Sequence, residues 1–132
     1  MLKLSKKTEY SLLLVSMLLN EKDFVPLTKV VEHTELPLRF LARISAVLAN
    51  NNVLLSREGR VGGYKLAERF YTMSLFDFLS IFERNLSLVN CQKKGTKCKF
   101  EKICKHKNAL QMKLNFVILR DLKQIKLKEL FI

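Results

Sequence analysis

Ser56-Arg57-Glu58-Gly59-Arg60-Val61-Gly62-Gly63-Tyr64 holds three of the four glycines in a chain of 132 residues. Such a concentration marks a turn that needs backbone angles a Cβ disfavours. Val53-Leu54-Leu55 precedes it and Tyr64-Lys65-Leu66 closes it. Both runs read as short strands, so the stretch predicts a two-stranded hairpin with a glycine-rich tip.

Upstream, apolar residues recur at helical spacing. Leu12, Val15, Leu18 and Leu19 give a core face to a helix expected over Lys6 to Asn20, with Ser5 as its cap. Val25-Pro26-Leu27 reads as an extended link. Thr28 is expected to cap a short helix of Lys29 to His33, and Thr34-Glu35-Leu36 to turn the chain. A third helix is expected to take Pro37 as its first residue, where a missing N–H costs nothing. Phe40, Leu41, Ile44, Val47 and Leu48 form its buried stripe, and Asn50-Asn51-Asn52 ends it.

Helix, helix–turn–helix, then a glycine-tipped hairpin is the order of a winged helix-turn-helix domain. Downstream, Ser74 caps a helix of about Leu75 to Glu83, and a last long helix runs from about Lys105 to Leu122. Leu110, Met112, Leu114, Phe116, Val117 and Leu119 make that helix apolar on more than one face. A second copy of the chain is its simplest partner, with Leu127, Leu130 and Phe131 completing the packing. The expected fold is mainly α with a small β-hairpin: residues 1–84 a winged helix-turn-helix domain, 85–104 a cysteine-containing sensor loop, and 105–132 a dimerisation helix and tail.

The net charge is +12, which favours a polyanionic partner. Residues 1–90 contribute +3 of it and residues 91–132 the other +9, so net charge alone does not locate a nucleic-acid face. The second helix of a helix-turn-helix enters the major groove of double-stranded DNA. Arg39 and Arg43 are four apart on that helix, and an arginine fork matches the two acceptors of guanine. Thr28 and Lys6 are candidates for phosphate, and Arg57 and Arg60 for a narrow minor groove. His33 reads as a surface residue.

Cys91, Cys98 and Cys104 fall within 14 residues. An odd count with no secretory signal predicts a cytoplasmic protein whose thiols serve metal or redox chemistry rather than structural disulfides. Leu12 to Leu19 is too short and too closely flanked by charge to span a membrane. No phosphate loop, nucleophile–base constellation or paired catalytic carboxylates point to an enzyme.

In order along the chain, Leu4-Ser5-Lys6-Lys7 with Tyr10, the Leu36–Leu48 helix, Ser56…Gly59…Gly62-Gly63-Tyr64…Leu66-Ala67, Ser74-Leu75-Phe76-Asp77 and the three cysteines resemble the IscR/NsrR-like iron–sulfur regulators of the Rrf2 superfamily. Ala109-Leu110 and Leu127-Lys128-Glu129-Leu130 resemble their dimerisation helix and tail. The resemblance implies a homodimer on near-palindromic operators, with a [2Fe-2S] or [4Fe-4S] cluster whose state sets DNA affinity. The response would be to nitric oxide, redox stress or cluster supply, most simply as a repressor. Cys91, Cys98 and Cys104 would ligate, with Glu9, His106 or a small external ligand completing the set. Glu58 stands where many relatives carry arginine before the first wing glycine, so the minor-groove residue stays open between Arg57 and Arg60. The first cysteine interval holds six residues where relatives often have five. A zinc-bound or metal-free regulator with a thiol switch is the alternative, and an RNA-associated basic protein a third.

Overall fold

The computed structural model describes residues 3–84, 86, 99–100, 102–103 and 107–131. Among these residues, six α-helices and one hairpin follow in order: α1 (Lys6–Leu18), α2 (Leu27–Thr34), α3 (Leu38–Asn50), β1 (Leu54–Arg57), β2 (Gly63–Leu66), α4 (Glu68–Thr72), α5 (Leu75–Phe82) and α6 (Lys107–Gln124), closed by a 3-10 turn at Leu127–Phe131. The mainly helical winged-helix expectation holds.

Ser5 caps α1, its hydroxyl accepting from the Thr8 N–H at 3.3 Å. Two expected starts shift. Thr28 does not cap α2: Pro26 occupies the cap with extended backbone, and Thr28 lies exposed in the first turn. Pro37 is likewise the cap of α3 rather than its first residue. In both cases the proline's fixed φ supports an extended ψ, which ends the incoming loop before the helix begins. Glu35 closes α2 at φ 58°, its N–H donating to the Val31 carbonyl.

Leu14, Val15, Leu18, Val30, Leu41, Ile44, Leu48, Val53, Phe70 and Phe78 form one core. Each is at most 2% exposed, and burying one such side chain is worth about 1.5–3 kcal/mol. α4 is too short to show a period in the sequence. It exists to insert Phe70, which is fully buried.

The tail corrects the expectation that Leu127 serves a dimer. Leu127 is completely buried in the chain's own core. Its N–H donates to the Met73 carbonyl, the Leu75 N–H donates to Ile125, and the Phe131 ring lies 5.8 Å from that of Phe70. The end of α6 is therefore pinned to the start of α5. By contrast, Met112, Leu114, Phe116 and Val117 on α6 are exposed. Among the described residues no helix is long and apolar enough to cross a membrane.

Candidate DNA interface

The recognition surface starts with the periodicity of α3. Leu41, Ile44, Ser45 and Leu48 are buried, which leaves Leu38, Arg39, Ala42, Arg43, Ala46 and Asn50 on the exposed side. That side carries two arginines, two alanines and no acid. Small side chains let the helix approach a groove floor closely, and the arginines extend beyond them. Phe40 is wedged against Tyr10 of α1, ring edge to ring face at 5.4 Å, which fixes the roll of α3.

The wing is held by backbone as much as by side chains. β1 and β2 pair antiparallel from Leu54 with Leu66 to Arg57 with Gly63. Val25, just before α2, then pairs with Tyr64 in both directions, at 2.8 and 2.9 Å. Gly63 has φ 146°, and a Cβ there would collide with the Val25 carbonyl. Gly62 is equally confined, since its Cβ would meet the Arg57 carbonyl.

The two wing arginines have different roles. Arg57 is folded back: its Nε and Nη2 donate to the Val61 carbonyl at 3.2 and 2.6 Å, and its guanidinium lies 4.3 Å from the Phe24 ring centre. It also approaches Asp23 at 3.5 Å. Arg60, at the exposed tip, makes no hydrogen bond or ion pair with another described residue. The structure thus separates a residue that shapes the loop from one that projects from it.

At the other edge of α3, a groove of about 310 Å³ opens between α1, α3 and α5. Phe40, Ile44, Val47, Ile81 and Phe82 form its floor, and Lys7, Arg43 and Arg84 ring it. Lys7 and Arg84 carry no local sequence signal of a site. They are remote from Arg43 in sequence, and only the packing of three helices gathers the three cations. Lys6 points elsewhere: its ammonium bonds Glu9 at 2.9 Å, and that hydrogen bond and the Glu9 charge hold it above the ordinary lysine pKa. Thr28 is exposed one turn from the wing junction.

Glu83, directly after α5, reaches the start of α1. Its Oε1 accepts from the Ser5 N–H at 2.6 Å and from the Thr8 hydroxyl at 2.7 Å. Burial pushes the carboxyl pKa up, but the donors from Ser5 and Thr8 outweigh it and leave the pKa below its ordinary value of 4.5. The chain leaving α5 is thereby tied to the helix that carries Lys6, Lys7 and Glu9.

Cys91, Cys98, Cys104 and His106 lie outside the described residues. Among the described residues, no group of three or more His, Cys, Asp or Glu side chains is placed to hold a metal ion.

These features define a winged-helix DNA-binding regulator. The chain belongs to the Rrf2 family, described as iron-dependent transcriptional regulators, whose profile matches residues 4–131. It is a transcription regulator and not an enzyme. The HTH-type transcriptional regulator IscR of Vibrio vulnificus is 27% identical over 96 residues, which cover 71% of this chain and 57% of that one. The chain thus spans little more than half the length of this curated relative. Among solved structures, CymR, the global cysteine regulator of B. subtilis, superposes with a TM-score of 0.75 at 21% identity, covering 99% of this chain and 97% of its own. IscR of T. potens superposes with a TM-score of 0.66 at 22% identity, covering 98% and 85%.

Proposed function

We propose that this protein is a homodimeric repressor whose operator affinity is set by an iron–sulfur cluster. The observation that carries the DNA half is the exposed, acid-free face of α3 bearing Arg39 and Arg43, locked in register with a wing that projects Arg60. Arg39 and Arg43 read guanine in the major groove, and Arg60 enters the adjacent minor groove. Arg57 holds the wing tip in shape. Lys6, Lys7, Arg84 and Thr28 meet phosphate, Lys6 by exchanging its weak surface ion pair with Glu9 for one with the DNA backbone.

The cluster half is supported by the donor set. Three thiols at Cys91-x6-Cys98-x5-Cys104 are soft ligands that suit iron–sulfur chemistry, and the spacing is wider than the hooks usual for structural zinc. Six neighbouring lysines, Lys93 to Lys105, favour thiolate over thiol. Glu9 is partly exposed and, among the described residues, its carboxylate is engaged by a surface ion pair with Lys6, a weak competitor for a ligand role. His106 is the other protein candidate. A bound cluster would supply a redox- and nitric-oxide-sensitive centre. Glu83 joins the chain entering that segment to the first turn of α1, which gives a direct route from sensor to DNA-binding domain. The exposed Met112, Phe116 and Val117 of α6 supply the dimer contact, to which the buried Leu127 does not contribute.

Anaerobic purification tests the reading. A brown protein whose visible absorbance disappears in Cys98→Ala, and whose operator affinity changes with that absorbance, supports it. A colourless protein holding zinc or no metal, with operator binding that responds to thiol oxidation, overturns the cluster and establishes a cysteine switch instead. Preference for RNA over a palindromic duplex would remove the operator reading altogether.

A further inference from the structure

The exposed side of α3 is two parallel ridges. Arg39 and Arg43 form one. Leu38, Ala42 and Ala46, each one turn from the next, form the other. Leu38 is the large apolar side chain of that second ridge. The leucines and isoleucine that α3 turns inward, Leu41, Ile44 and Leu48, are at most 2% exposed, whereas Leu38 is 49% exposed. It occupies the first residue of the helix, where a recognition helix presents side chains to base edges. On a helix face read as entering the major groove, an exposed apolar side chain at that position fits an apolar group on a base pair. The major groove offers one such group on a base pair, the 5-methyl of thymine.

We infer that Leu38, backed by Ala42, reads thymine methyls beside the guanines contacted by Arg39 and Arg43, so that each half-site carries thymine at a fixed offset from guanine. The inference rests on the reading of α3 as the major-groove helix. Base pairing and hydrogen-bonding edges are unchanged when thymine is replaced by uracil; only the methyl is lost. Its contact with Leu38 is the quantity to measure.

The full chain is first used to select duplexes from a random pool. Each thymine of the selected site is then replaced singly by deoxyuridine. At one or two positions per half-site, uracil should weaken binding about three- to tenfold, the value of one buried methyl. Leu38→Ala should melt at the wild-type temperature, bind the thymine site more weakly, and be indifferent to uracil at those positions. Uracil tolerated at every position, or a uracil penalty that persists in Leu38→Ala, overturns the inference. If that happens while Arg39→Ala and Arg43→Ala still change the selected bases, the major-groove reading survives alone. If those two variants select the wild-type site, or if no duplex is selected, both fail.

Discussion

The Glu83 carboxylate accepts a 2.7 Å hydrogen bond from the Thr8 hydroxyl, across 75 residues of sequence, while Thr8 itself is fully buried. Hydrogen bonds to a charged acceptor contribute about 1.5–3 kcal/mol each, so Glu83→Ala should cost at least ~1 kcal/mol in denaturant unfolding at neutral pH. Because the folded carboxyl has a pKa below its ordinary 4.5, the stabilisation is complete above that pH and is lost as pH falls through the folded value. Glu83→Gln should therefore flatten the acid limb of the stability profile. An acid limb identical to wild type would show that the contact is idle.

Arg57 and Arg60 should separate cleanly. Arg57→Ala removes the two bonds to Val61 and the stack on Phe24, so it should lower the melting temperature and weaken DNA binding on all sequences. Arg60→Ala should leave the melt unchanged and erase any preference for A·T pairs beside the major-groove site. Binding to duplexes that differ only in those flanking pairs distinguishes the two.

Gly63→Ala introduces a Cβ against the Val25 carbonyl at a backbone angle that side chains rarely adopt. Relief requires parting Val25 from Tyr64. The expected destabilisation is about 2–4 kcal/mol, measured by chemical denaturation. Gly59, also at positive φ, has open space around it. Gly59→Ala should cost only about 1 kcal/mol.

The Ser45 hydroxyl is fully buried in α3 without a hydrogen-bond partner among the described residues. Ser45→Ala removes a desolvated polar group and improves helix propensity. It should raise stability by about 0.5–1.5 kcal/mol. A loss of stability of that size would mean the hydroxyl has a partner in solution, most simply an ordered water.

Local chemistry made most of this fold legible. Ser5 and Ser74 do cap α1 and α5, and the stripe of α3 turns inward as its periodicity requires, whereas the buried face of α1 is Thr8, Ser11, Leu14, Val15 and Leu18, with the expected Leu12 and Leu19 only half-buried beside it. The glycines place the wing to within two residues. What escaped the sequence was decided at long range. α4 is five residues long, too short to show a period, and only Phe70 meeting a core built from elsewhere reveals it. Leu127 carries no local sign of whether its partner is this chain or another. At the candidate interface, the shared helix face of Arg39 and Arg43 is legible from their spacing, and both are exposed on α3. The division of labour between Arg57 and Arg60 is not legible, because it depends on Phe24 and Asp23, more than thirty residues upstream.

The two backbone bonds between Val25 and Tyr64 bridge the chain entering α2 to the two-stranded wing, at a contact close enough that only Gly63 fits beside it. Wing and helix-turn-helix are therefore joined through backbone, and on the proposed reading the bases they contact would be phased. On that reading, the distance in base pairs between a guanine contacted by Arg43 and a minor groove entered by Arg60 would be a constant of the protein. Inserting a single base pair between them rotates one reader about a tenth of a helical turn from its target, so one contact is lost whenever the other is kept. Such a regulator is selective for spacing as well as for sequence.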